Sequence, residues 1–320
     1  MRKIIVIFAF ALLSLLTACG ASSLKEESKG GGEGVLRIEG SATRIEVKDI
    51  HLQVKGREKG PELVFAYDGK GARAELKGPQ ELLPEIKLEF SGQQLSIHAE
   101  GGKRYTLEEG LTITLFDQPY EKLERLSLAG ACEARSELET GLGSYYTFYN
   151  DGPASPQGLA QGNSRLEVVL SGASILKVDA LKAGAELKME LSGASRLEAE
   201  HIQAGRWKLD MSGASALLAQ AVDSQEADWH IGGASQAEIP PRDGAGTAAS
   251  LFAVLTGASQ VKAYGYLVQK ATLTLSGSAL LECSVTDVLG GSITNDSTVY
   301  YRGNPTLATH VGSSSHMEKR

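Results

Sequence analysis

The sequence predicts an all-β chain wound into a parallel β-helix, a solenoid whose rungs run about 20 residues. Three observations predict it. First, Leu170-Ser171-Gly172-Ala173-Ser174 recurs as Leu191-Ser192-Gly193-Ala194-Ser195 and as Met211-Ser212-Gly213-Ala214-Ser215. It returns as Ile231-Gly232-Gly233-Ala234-Ser235, Leu255-Thr256-Gly257-Ala258-Ser259 and Leu275-Ser276-Gly277-Ser278-Ala279. The glycine spacings are 21, 20, 20, 24 and 20. Second, polarity alternates with period two between copies, as half-buried strands require. Trp207, Leu209 and Met211 alternate with Arg206, Lys208 and Asp210. Third, no segment of this half sustains a 3.6-residue period. A strand of five or six residues cannot bury its apolar face alone, but stacked rungs cover one another.

The first element is an address. Arg2 and Lys3 precede an apolar run from Ile4 to Leu13 that continues to Leu16. Such a run is short of the ~20 residues that span a bilayer and reads as a signal peptide, residues 1–18. Leu16-Thr17-Ala18-Cys19 resembles a bacterial lipobox, in which Cys19 is acylated and becomes the first residue of the mature chain. The alternative is an ordinary secretory signal with a chance cysteine. Several acyl chains anchor stably where one is marginal. Gly20 after Cys19 resembles an outer-membrane sorting signal, and Lys25-Glu26-Glu27 resembles the acidic tags of surface-exported lipoproteins or a plain solvated tether. The expected location is the outer membrane, lipid-anchored, at the cell surface or facing the periplasm. Residues 19–34, ending in the glycine-rich stretch, read as a flexible tether.

Residues 35–306 read as the β-helix. Residues 35–127 are its less regular start, with Leu36-Arg37-Ile38, Ile45-Glu46-Val47 and Leu88-Glu89-Phe90 as strands. A separate N-terminal sandwich is the alternative. Residues 128–306 carry the repeats. Leu176, Leu197, Leu217, Ala237, Val261 and Leu281 should form one internal column. Gly172 through Gly277 should form a corner, where glycine suits a positive φ or close packing. Ser174, Ser195, Ser215, Ser235 and Ser259 should form a hydroxyl ladder capping turn amides and bonding rung to rung. Five equivalent serines are not one nucleophile. The outward column Lys177, Glu198, Leu218, Glu238, Lys262, Glu282 mixes signs, which suits neighbouring rungs. Residues 307–320 read as a frayed polar tail.

Two spacings depart from the repeat. An earlier copy, Leu128-Ala129-Gly130-Ala131-Cys132, lies 42 residues before Gly172. The interval, with residues 136–163 at its centre, holds either a protruding loop or an extra rung. Tyr145, Tyr146, Phe148 and Tyr149 are the candidate ligand-binding residues if it is a loop, since aromatics there can stack on sugars or anchor a partner. A four-residue excess near Pro240-Pro241 should bulge.

The repeats, the lipobox and the upstream block together resemble the head GIN domain family of putative auto-transporter adhesins, a DUF2807-type domain of unknown function. The upstream block comprises Leu82 to Lys87, Leu95-Ser96-Ile97, Leu111 to Leu115 and Leu123 to Leu128; the end piece is Ser292 to Pro305. The resemblance covers most of residues 35–306. It implies a right-handed β-helical solenoid on an exported bacterial protein, with no catalytic residues to carry over.

Composition narrows the chemistry. The formal charge is −7, or −9 once Arg2 and Lys3 leave with the signal, and the pI is about 5.5. Nucleic acid as a partner is not expected, because it needs a concentrated basic surface. Three cysteines make no disulfide framework. Cys132 and Cys283 should sit about seven rungs apart, far beyond the ~7 Å a disulfide tolerates. No cofactor or metal is expected. The best polar cluster is Asp210, Asp228 and His230, with Arg206 and Lys208 beside it. It reads as a solvated mixed-charge face, or as the site of a pectinase-like enzyme acting on polysaccharide. The expected function is a non-catalytic adhesin or binding scaffold for a host protein or glycan, with a periplasm-facing envelope scaffold as a further alternative. Oligomeric state stays open.

Overall fold

The computed structural model describes residues 24–29, 33–100, 104–107, 109–136, 138, 142–144, 165–242 and 247–320. It is a β-solenoid of about 8 turns. Ile175–Leu191, Arg196–Met211 and Ala216–Ile231 stack in parallel, each long strand wrapping round one turn. The predicted column exists and runs further than expected. Leu63, Ala134, Leu176, Leu197, Leu217, Ala237, Val261, Leu281, Val299 and Met317 lie in register. A second set of columns precedes each corner. There Trp207 meets Ala227 and Trp229 meets Ala253, so each indole is covered by a small side chain of the next rung.

The corner explains its own sequence. The Ala173 amide donates to the Gly130 carbonyl at 2.6 Å, and Ala194 to Gly172 at 2.7 Å. Each corner glycine has a positive φ, +70° at Gly172 and +76° at Gly213. A Cβ on Gly213 would stand 2.6 Å from the Gly193 carbonyl oxygen. Glycine is thus required twice, by dihedral and by space. The serine ladder is buried as a column, but its hydroxyls do not cap turn amides. Ser174 Oγ donates to the Ser171 carbonyl and Ser235 Oγ to Gly232, both at 2.8 Å. Ser215 bonds the next rung through Ser235 Oγ at 3.2 Å, while Ser195 and Ser259 have no partner.

The 42-residue interval is one turn. Arg125–Leu128 pairs directly with Arg165–Leu170, and Glu133–Ser136 with Ile175–Leu191. The extra-rung reading is therefore excluded, and the excess falls between Ser144 and Arg165, outside the described residues. Cys132 and Cys283 are consequently six rungs apart, not seven, or about 29 Å at the strand spacing. After Pro240-Pro241, the ladder resumes where Thr247 pairs with Leu267.

The N-terminal half is continuous with the solenoid, and not a separate sandwich. Glu133–Ser136 rests on Glu62–Ala66, which rests on Thr112–Phe116, all parallel. Beyond them Arg73–Pro79, Glu33–Glu39 and Leu24–Lys29 continue the sheet antiparallel, so the part of the expected tether that is described, 24–29 and 33–34, is strand instead, held by the edge of the sheet. On the pre-corner side, Arg125–Leu128 rests on Arg44–Lys48, then Gln94–Ala99, both parallel. The Gly92-Gln93 turn then reverses the chain into antiparallel Ile86–Ser91, with Gly92 at φ +59°. Without the glycine corner the chain has no repeating turn, so hairpins take over. Their antiparallel strands cover this end of the core, as capping units do in solenoids.

The expected frayed tail is corrected as well. Thr306–Val311 pairs with the rung carrying Val288 to Ile293, and His316–Lys319 with Thr298–Arg302, making a final rung. Asn295 and Asp296 take the corner at φ +54° and +63°, a region these short polar side chains tolerate. Leu307 and Val311 continue buried columns yet are exposed, because no described strand covers them.

Candidate functional surface

The solenoid's interior is filled by side chains, so recognition has to be sought on its sides. Trp207, Trp229 and Tyr266 form the aromatic centre, with Trp207 and Trp229 edge to face at 5.2 Å. Tyr266 shares a hydrogen bond with Ser224 at 2.7 Å, and burial pushes its phenol well above the usual range. The thiols of Cys132 and Cys283 are free and buried, and burial pushes each up to about 12. Since the thiolate is the reactive form, iodoacetamide at mildly alkaline pH should leave both unmodified in the folded chain and alkylate both in denaturant. Mass spectrometry of the tryptic peptides reads the outcome, and modification in the folded chain would refute the burial.

The pre-corner sheet presents a ladder of matched charge. Arg44 pairs with Glu124 at 2.9 Å, Arg125 with Glu167 at 3.1 Å, and Lys188 with Glu167 at 3.1 Å. Lys208 pairs with Glu186 at 2.8 Å, and this hydrogen bond holds the Glu186 carboxyl below its usual range. Lys188 is raised mainly by its contact with Glu190. A depression of about 650 Å³ lies along these residues, with Arg44, Arg125, Arg165 and Lys188 interleaved among Glu46, Glu124, Glu167 and Glu186. Exposed pairs of this kind contribute about 0–1 kcal/mol each. Their balanced signs leave little net field to steer a charged partner.

The predicted cluster is brought together in part. His230 Nδ1 stands 3.6 Å from Asp210 Oδ1 and 3.8 Å from Asp228 Oδ1, beyond hydrogen-bond distance of both. Arg206 lies 3.6 Å from Asp228, whereas Lys208 turns to Glu186. Sequence reasoning missed Phe252, 41% exposed, whose ring lies 6.0 Å from that of His230. The signal was available, since Phe252 occupies an outward position of the period-two pattern. Also missed was a knot at the N-terminal end. There the mostly buried Arg73 binds Asp68 and Glu75 and stacks on Phe116, with its guanidinium 4.0 Å from the ring centre. The Arg73 hydrogen bond holds the Asp68 carboxyl far below the usual carboxylate range. Asp117 accepts the amides of Asp68, Gly69 and Gly71, fixing the same loop.

Among the described residues no group of His, Cys, Asp and Glu is arranged to hold a metal ion. None of their helices is long and apolar enough to cross a membrane. Cys19, Tyr145, Tyr146, Phe148 and Tyr149 lie outside the described residues.

Residues 62–305 match the model of the family described as DUF2807, "Putative auto-transporter adhesin, head GIN domain". The chain belongs to this family. The head GIN match opens on the strand Glu62–Ala66 and closes at Pro305, so it omits Leu24–Lys29, Glu33–Glu39 and Arg44–Lys48 at the N-terminal end and the final rung at the other. Solved structures share the fold. A putative adhesin from Parabacteroides merdae aligns at TM-score 0.58 and 11% identity, covering 91% of this chain and 97% of that one. A putative adhesin from Parabacteroides distasonis aligns at TM-score 0.58 and 13% identity, with 91% and 98% covered. A putative lipid binding protein from the same species aligns at 0.51 and 12%, again with 91% and 98% covered. No curated protein matches the sequence.

Proposed function

We propose that this head GIN domain chain is an exported lipoprotein, anchored through Cys19 in the outer membrane. There it serves as a non-catalytic adhesin or binding scaffold at the cell surface. The observation that carries the reading is the division between an interior filled by apolar side chains and outer sheet faces that carry the polar and charged ones. Small-molecule enzymes and carriers enclose most of a ligand in a concave pocket. The depression along the pre-corner sheet is instead open to solvent and lined by ion-paired side chains. A stack of rungs with a capped N-terminal end suits presentation of a lateral surface to a large partner. The adhesin family and the lipobox-like tetrapeptide support the same reading, with a host protein or glycan as partner.

Labelling with a palmitate analogue and protease treatment of intact cells test it. The wild-type chain is expected to take up label, and the Cys19→Ser variant to take up none. Protease should remove the β-helix from intact cells. Equal labelling of both chains would refute the anchor. Protection in intact cells with digestion after lysis would refute the surface location.

A further inference from the structure

We infer that the pre-corner sheet carries a binding shelf for neutral glycan, beginning at Phe252 and running toward the final rung. The inference rests on the surface-scaffold reading and names the ligand class it would serve. The outward positions of this sheet change character abruptly. Rungs through Glu186, Arg206 and Glu226 carry eight charged residues and one histidine in nine outward places. The next four rungs carry one charged residue, Lys270, and one histidine, His310, in twelve. The seam between the halves is where Asp228 pairs with Phe252 and His230 with Val254.

Beyond Phe252 the floor is small and hydroxylated. Phe252 is followed rung by rung by Thr272, Gly290 and Ala308, and Val254 by Thr274 and Ser292. Thr272 and Thr274 are exposed, Gly290 and Ser292 half-exposed. The next-rung neighbour of Phe252 is the short Thr272. On the inner side of the Phe252 ring stand His230, with its ring 6.0 Å away, and the Asp228 carboxylate, whose Oδ1 is buried. A shallow depression of about 380 Å³ borders the shelf on its charged side, running from Val169 past Glu190, Asp210 and His230 to Val254.

Each part fits one chemistry. An exposed aromatic face stacks on the apolar face of a pyranose ring. The threonine and serine hydroxyls of the floor both donate to and accept from sugar hydroxyls. Adjacent rungs repeat these hydroxyls about every 4.8 Å, so the shelf suits an extended chain more than a single ring. Charge sets the class. An acidic glycan would meet Asp228 and Asp210 at the rim, with Lys270 as the one cation on the floor.

The purified full-length chain, screened on an array of neutral and acidic oligosaccharides and then titrated with the tightest neutral one, tests the inference. Binding of neutral glycans is expected, with affinity at least tenfold weaker in Phe252→Ala and in Thr272→Lys. Lys262→Ala, on the post-corner sheet, should bind like wild type. Thermal melting checks that each variant folds. Binding confined to acidic glycans, affinity unchanged in a folded Phe252→Ala or Thr272→Lys chain, or no neutral glycan bound would overturn it. The assay uses purified protein, so its failure is separate from a failure of the anchor or of the surface location.

Discussion

Gly213→Ala is expected to lower the unfolding free energy by about 2–4 kcal/mol, from left-handed strain and a backbone clash together. The new Cβ would stand 2.6 Å from the Gly193 carbonyl oxygen at a residue held at φ +76°. Neither partner is a side chain that can swing away. Relief would have to separate two rungs at the point where Ala214 donates to Gly193 at 2.7 Å. The control is the adjacent column. At Gly232 a Cβ would meet only the Thr256 hydroxyl, at 2.9 Å, and φ is not positive there. The same column carries Ser171, Ser192 and Ser212 in other rungs, so Gly232→Ser should change stability by less than about 0.5 kcal/mol. Urea unfolding of the three chains measures both values. Equal stability of Gly213→Ala and wild type would mean that the corner does not hold the rungs in contact.

Trp229→Ala is expected to cost about 3–5 kcal/mol, the range for deleting a large buried aromatic. Trp229 is 1% exposed, with its ring 5.2 Å from that of Trp207 and 5.4 Å from that of Tyr266. Its rung partner is Ala253, which cannot fill the space left. Trp229→Phe should lose less than half as much. It keeps a ring in place and removes an indole N–H that has no hydrogen-bond partner. The chain has two tryptophans, both in this cluster, so near-ultraviolet circular dichroism reports on it directly. The expected readout is a lower urea midpoint together with a collapsed aromatic signal. A midpoint near that of wild type would place the indole outside the core.

The repeated half was legible because one physical constraint recurs in it. Each corner demands glycine, and each glycine fixes the register of the strands on both sides. The internal column from Leu176 to Leu281 could therefore be assigned residue by residue. Where that constraint lapses, so does legibility. The final rung turns on Asn295-Asp296 and then on a serine run, residues that the corner accepts but that equally describe a polar tail. Upstream of Leu128 the stacking order no longer follows chain order. Arg125–Leu128 rests on Arg44–Lys48, and Gln94–Ala99 lies beyond it. Period two gives the strands there but not their neighbours. The 42-residue interval was ambiguous for a related reason. Residue counting measures contour length, whereas the Gly130–Gly172 contact measures height. On the surface, the charged cluster was legible as a solvated face. The role of Phe252 was not, because it depends on Thr272, Gly290 and Ser292 standing beside it across rungs.

The corner permits no change of step, yet the arcs between corners range from 18 residues, Gly277 to Asn295, to 42, Gly130 to Gly172. A lineage carrying such a gene can lengthen or trim an arc without disturbing the strands above and below it. Insertion or deletion of a whole repeat would add or remove one unit. Each event would move the outermost rung by about 4.8 Å while leaving every surviving column intact. The reach of the molecule can thus change only in quantised steps, with each added rung needing a corner residue that tolerates a positive φ.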